Sequence, residues 1–215
     1  MKKLGLWIIA SLVLFCELDV VSAKDYVSPT AAEETDVSKK AENLIQNLGN
    51  TAIEIINRKG ITSEKVKQEF GKLLNENFAL ENIARYSLGK NFKQLSEDEK
   101  KDFLRSFENM LVGIYSSRFS EYKSAKLIVA GSRKKSDKQI LVNSKIVIPN
   151  KQDIDVVWSI FLSNGSLKVY DAIISDVSIS NVQRSELMSR ISEKGLKAFL
   201  EDFKKKYGQN EEHKK

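Results

Sequence analysis

Ile154-Asp155-Val156-Val157-Trp158-Ser159-Ile160-Phe161-Leu162-Ser163-Asn164-Gly165-Ser166-Leu167-Lys168-Val169-Tyr170-Asp171-Ala172-Ile173-Ile174 is the stretch whose reading decides the fold. β-branched and aromatic residues alternate with polar ones on both sides of Asn-Gly, and Asn-Gly accepts the positive backbone angles that a two-residue hairpin turn demands. The turn predicts a register in which Leu162 faces Leu167, Ile160 faces Val169, Trp158 faces Asp171 and Val156 faces Ile173. Asp171 is the one polar residue on that side of the hairpin.

Upstream, residues 126–130 and 139–148 carry the same Val/Ile-rich pattern and predict two further strands. Before them the period changes to that of a helix. Val37, Ala41, Leu44, Leu48, Ala52 and Ile55 recur at three- and four-residue steps, and residues 63–77 repeat the pattern with Val66, Phe70, Leu73 and Leu74. A short third helix carries Ile83 and Ala84 and stops near Gly89. Ser96-Glu97-Asp98-Glu99 reads as a capping box opening a long helix, striped by Phe103, Phe107, Met110, Leu111, Ile114, Tyr115 and Phe119. Downstream of the hairpin a last helix is expected over about 180–207, bent at Gly195. Helices, a meander and a closing helix predict an α+β fold: several N-terminal helices and a C-terminal helix on a curved antiparallel sheet of about four strands, enclosing an apolar cavity between the layers.

The N-terminus addresses compartment. Met1-Lys2-Lys3 is a basic start, 4–15 is an apolar run of 12 residues, and Val21-Ser22-Ala23 offers a small-x-small cleavage site. The run is short of the roughly 20 residues that span a bilayer, so residues 1–23 are read as a signal peptide cleaved after Ala23. Residues 24–36 then form a flexible leader, 37–207 a single domain and 208–215 a charged tail. Export fixes the available chemistry. Cys16 is the only cysteine and leaves with the signal, and the only histidine, His213, sits in the charged tail, so Ser-His-Asp and Cys-His triads and thiolate or histidine zinc sites are excluded. No Gly-rich phosphate loop is present. The net charge of +6 points to anionic lipid surfaces or acidic partner proteins. Asp171 remains as a carboxylate with two readings: a general base in an apolar cavity, or a structural group that caps a helix or pairs with Arg85 or Arg184.

The segment Ile83-Ala84-Arg85-Tyr86-Ser87-Leu88-Gly89-Lys90, the capped helix after it, Gly165, Lys168-Val169-Tyr170-Asp171 and Val177-Ser178 stand in the order found in the MlaC, or toluene-tolerance, family, which the chain resembles over about 37–205. Two departures are Asn91-Phe92, where the family usually has an aromatic-Trp pair, and Leu167, where Trp is common. The resemblance implies a periplasmic phospholipid-binding component of an ABC transport system that maintains outer-membrane lipid asymmetry. It implies an inner-membrane ABC transporter complex and an outer-membrane lipoprotein complex as partners, with no catalysis, cofactor, metal or nucleic acid. It also implies a cone-like α+β wrap whose cavity buries acyl tails. The lining expected for that cavity is Trp158, Ile160, Val169 and Ile173 from the sheet and Phe107, Leu111 and Tyr115 from the capped helix. The competing readings are an exported adaptor or membrane-surface protein with a fully packed core, and a cavity enzyme using Asp171.

Overall fold

The structure is a computed structural model that describes residues 31–163 and 165–208. The expected signal peptide with Cys16, the first part of the leader, Asn164 of the hairpin turn and the tail with His213 lie outside the described residues. In chain order the elements are α1 (Ala31–Asn57), α2 (Ser63–Asn77), α3 (Leu80–Leu88), a 3-10 turn (Gly89–Gln94), α4 (Glu97–Ser116) and a second 3-10 turn (Phe119–Tyr122). Strands β1 (Lys126–Ser136), β2 (Gln139–Val147), β3 (Ile154–Ser163), β4 (Ser166–Ile174) and β5 (Val177–Ser178) follow, then α5 (Ile179–Lys194) and α6 (Leu196–Tyr207). The strands form one open antiparallel meander in the order β1-β2-β3-β4-β5. This is the expected α+β arrangement, with a two-residue fifth strand added.

Local chemistry explains most boundaries. Thr62 caps α2 by accepting from the Lys65 amide at 3.2 Å. Ahead of α4 the capping box is complete: Ser96 Oγ accepts from the Glu99 amide at 3.2 Å, and Glu99 Oε2 accepts from the Ser96 amide at 2.8 Å. Those bonds hold the Glu99 carboxyl below the usual carboxylate range. The helix ends at Ser116, so Phe119 belongs to a 3-10 turn rather than to the stripe of α4, and its ring meets Phe70 edge-on at 4.7 Å. The expected closing helix is two helices. Gly195 at φ +81° breaks it, because a backbone in that region cannot continue a right-handed helix. At the other end α1 starts at Ala31, inside the stretch expected as a leader.

The hairpin register holds only near its turn. Leu162 pairs with Leu167 and Ile160 with Val169 as expected, but Ser159 then pairs with Asp171, Trp158 with Ala172, Val157 with Ile173 and Val156 with Ile174. Tyr170 is an extra residue in β4, a β-bulge, and one inserted residue moves all that follows to the opposite face of the sheet. The expected pairings of Trp158 with Asp171 and of Val156 with Ile173 are therefore corrected.

Two apolar clusters make the core. In the first, α3, α4, α5 and α6 surround Phe103, Phe107, Phe199 and Phe203, whose rings lie 5.2–5.8 Å apart, within the range of favourable aromatic contacts. In the second, Ala41, Ile45, Leu48 and Ile55 of α1 pack on Leu127, Val142, Ile160 and Val169 of the sheet. Phe70 and Phe78 pack against both.

The approach of α1 to the edge strand β1 depends on a missing side chain. A Cβ at Gly49 would stand 2.8 Å from Leu127 Cβ, an atom fixed by its own backbone. Gly49→Ala is expected to lower stability by about 1 to 2 kcal/mol net, the overpacking cost exceeding the gain in helix propensity. Gly113→Ala on α4, with nothing within 4 Å of the new methyl, is expected to raise it by up to about 1 kcal/mol. Urea denaturation of both variants checks the contrast.

Candidate functional site

The face of α4 is built by spacing. Phe107, Leu111 and Tyr115 sit at i, i+4 and i+8, so they share one side of the helix, and all three join the helical cluster. Phe107 and Leu111 are buried, and Tyr115 is half-buried. Burial pushes the Tyr115 phenol above its usual range, and the negative charge of Asp171 adds to that. One turn beyond Ser180 on α5, Gln183 is buried and hydrogen-bonds the Tyr115 phenol, while its Oε1 has no partner among the described residues.

The sheet contributes Ile160 and Val169, neighbours in register and each fully buried, to the second cluster. Trp158 joins them at the edge of that cluster, and its indole Nε1 donates to Ser144 Oγ at 2.8 Å, which satisfies the one polar atom of the ring. Ile173 does not join them. The bulge puts it opposite Val157, on the other face of the sheet from Ile160 and Val169. The seven expected lining residues thus divide into three on the helical cluster, three on the sheet cluster and one on the far side of the sheet.

The two clusters share a seam at Phe70 and Phe78, which pack against both. Phe78 lies between α2 and α3 and forms a parallel bridge with Val169, and the next residue donates its amide to the Val169 carbonyl at 2.9 Å. Lys168 Nζ donates to the Glu76 carbonyl at the end of α2. The backbone of β4 is thereby pinned to the α2–α3 junction. Sequence reading missed Phe78 because it belongs to no periodic stripe; the available signal was a bulky apolar residue between two helices, where a polar loop residue is the norm. The seam offers apolar surface on both walls, so its chemistry suits a greasy chain rather than a polar ligand. Two surface depressions lie elsewhere. One of about 430 Å³ sits between the end of α1 and β1, lined by Asn50, Ile53, Leu127 and Ile128. The other, about 480 Å³, lies over α5 and α6 by Arg190, Lys194, Phe199 and Asp202. Neither touches any of the seven residues.

Asp171 caps a helix, the arrangement named in the structural reading of this residue. Its Oδ2 accepts from Ser178 Oγ at 2.6 Å and its Oδ1 from the Ser180 amide at 2.9 Å. Ser178 Oγ in turn accepts from the Asn181 amide at 3.1 Å. The carboxylate therefore sits at the positive end of α5, engaged through both oxygens. The two arginines considered as its partners are engaged elsewhere: Arg85 with Glu81 and over the Phe92 ring, Arg184 with the Tyr86 carbonyl and over the Tyr86 ring. Among the described residues no group of three or more His, Cys, Asp or Glu is placed to hold a metal ion, and no helix is long and apolar enough to cross a membrane.

Comparison with known proteins gives two positive findings. A family model described as MlaC protein matches residues 46–205. The fold is similar to that of a phospholipid-binding protein from Ralstonia solanacearum, solved in complex with a phospholipid, with a TM-score of 0.68 at 17% identity over 79% of this chain and 99% of that one. No curated protein matches.

Asp171→Ala removes the clamp on α5 and is expected to cost about 1–3 kcal/mol, measured as a lower urea midpoint. Asp171→Asn keeps an acceptor for the Ser180 amide and is expected to lose less. Equal stability of wild type and the alanine variant would show that the clamp contributes nothing.

Proposed function

The chain belongs to the MlaC family, and from that premise we propose that it is a periplasmic phospholipid carrier that holds acyl tails between its helical and sheet clusters. The observation that carries the reading is the family match across both clusters, 46–205, joined to a fold shared with a protein solved with phospholipid bound. Tails would enter along the seam, displacing Phe70 and Phe78 and contacting Phe107, Leu111 and Tyr115 on one wall and Trp158, Ile160 and Val169 on the other. Ile173, on the opposite face, stands outside this lining.

Dimensions and energies suit such a carrier. One acyl tail occupies about half of a 30 Å hydrocarbon core, or about 15 Å. β3 has 10 residues, about 33 Å of strand, and α4 has 20, about 30 Å of helix. Two tails of about 15 methylenes each give a gross gain of about 24 kcal/mol on leaving water. Before ordering costs are subtracted, that gross gain lies above the practical ceiling of about 18 to 21 kcal/mol for non-covalent binding. A bound lipid then leaves only to another apolar site, where the net change is close to zero. Handover requires docking, and direction must come from outside the carrier. We assign the two docking partners to an inner-membrane ABC transporter complex and an outer-membrane lipoprotein complex, with outer-membrane lipid asymmetry as the outcome. Residues 1–23 supply the export signal for this role, and no catalytic step is needed.

Native mass spectrometry of the freshly purified protein, followed by lipid extraction, tests the reading: phospholipid is expected in stoichiometric amount. Val169→Trp fills the seam from the sheet side and is expected to abolish co-purifying phospholipid while leaving the circular dichroism spectrum intact. Wild-type protein free of lipid would favour an adaptor with a packed core, and a folded Val169→Trp variant with undiminished lipid would move the binding site away from the seam.

A further inference from the structure

The positive charge of this chain is concentrated at one end of its sheet. The β1–β2 and β3–β4 turns lie side by side there, joined by the Leu162 amide donating to the Lys138 carbonyl at 2.9 Å. Residues 133–140 and 160–169 hold five cations, Arg133, Lys134, Lys135, Lys138 and Lys168, against one acid, Asp137, a local excess of four in a chain whose net charge is +6. Lys134 is paired with Asp137 at 3.0 Å, whereas Arg133, Lys135 and Lys138 are exposed and have no ion-pair partner among the described residues. Two described acids on the packed helices are already paired with lysines of their own helices. Glu42, which accepts from Ser132 Oγ on β1, is paired with Lys39, and Glu76, at the end of α2, with Lys72.

Apolar groups accompany the charge. Phe161 and Tyr170 meet in a tilted ring contact at 5.1 Å on the face of the hairpin away from α1, half-buried, and Leu162 and Leu167 are half-buried next to the turn. Long lysines around half-exposed aromatic and aliphatic side chains form the composition that settles at a bilayer interface, with cations among the headgroups and rings at their inner margin.

We propose that this end of the sheet is a docking surface for anionic phospholipid bilayers. The proposal rests on the carrier reading for its purpose, and geometry gives it a consequence. Val169, where β4 is bridged to Phe78, is only a few strand residues from the β3–β4 turn, about 13 Å at the rise of an extended chain. That is less than the length of one acyl tail, about 15 Å. A lipid tail could pass between a docked bilayer and the seam while staying mostly out of bulk water. Four excess charges around the ends of two adjacent hairpins suit a broad anionic plane, which needs no fixed pairing geometry, better than a partner protein that must match each lysine with a carboxylate.

Co-sedimentation with vesicles tests it. The purified protein is expected to bind vesicles of phosphatidylcholine containing about one-third phosphatidylglycerol, to bind pure phosphatidylcholine vesicles at least about tenfold more weakly, and to be released as salt rises from about 0.05 to about 0.5 M. Lys135→Glu/Lys138→Glu is expected to weaken binding to the anionic vesicles at least about tenfold, with unchanged circular dichroism and unchanged co-purifying lipid. Equal binding of wild type to both vesicle types, no binding to the anionic ones, or undiminished binding of the double variant would overturn the proposal, and failure at anionic vesicles would point the lysines to an acidic protein. The carrier reading fails by a separate result, absence of lipid from the wild-type preparation, whatever the vesicles report.

Discussion

Tyr170 has no partner of its own on β3, and through that one insertion a single strand serves both halves of the molecule. Before the bulge, Leu167 and Val169 point into the cluster beneath α1, and the Val169 carbonyl takes the amide that follows Phe78. After it, Asp171 reaches the first turn of α5 and holds Ser178 and Ser180. Without the extra residue Asp171 would share a face with Trp158 and Val169, a carboxylate directed into apolar surroundings, which is costly unless it is fully hydrogen-bonded. The bulge turns that liability into a helix cap. It also lets one short stretch of backbone tie the sheet to the α2–α3 junction and to α5 together.

That arrangement bears on how the two clusters relate. Each has its own aromatic or aliphatic centre, and Phe70 and Phe78 are shared. Parting two packed walls along an apolar seam costs contact area but breaks few hydrogen bonds, since the polar groups at the junction, the Val169 carbonyl and Lys168 Nζ, lie at its margin. An apolar seam is compatible with holding a hydrocarbon chain, because the chain replaces the protein contacts it displaces with contacts of the same kind.

Features set by local chemistry were legible in the sequence. The capping box at Ser96 and Glu99, the span of α2, the end of α3 at Gly89 and the position of the β3–β4 turn each depend on a few adjacent residues. Features set by tertiary contact were not. Nothing between Ser166 and Ile174 marks Tyr170 as the supernumerary residue, because its place is decided by where α5 captures Asp171 and where Phe78 captures Val169. The same limit applied to the candidate site. Phe107, Leu111 and Tyr115 could be grouped by helical spacing, but assigning Ile173 to their cavity required a register that only the folded strand reveals. Phe78 lies outside any period, and its one mark in the sequence is a bulky apolar side chain between two helices.

Among the described residues the outer border of β1 runs for 11 residues with no strand beside it, and such a border is a template on which other chains can polymerise. Here the ladder to β2 is interrupted between Val129 and Gly131 and again between Lys134 and Ser136, and Gln46 of α1 donates to the Leu127 carbonyl at 3.2 Å. Two kinks, one side-chain plug and a run of like charges leave no long flat row of open amides and carbonyls. Joining of sheets edge to edge into fibrils is disfavoured at this border.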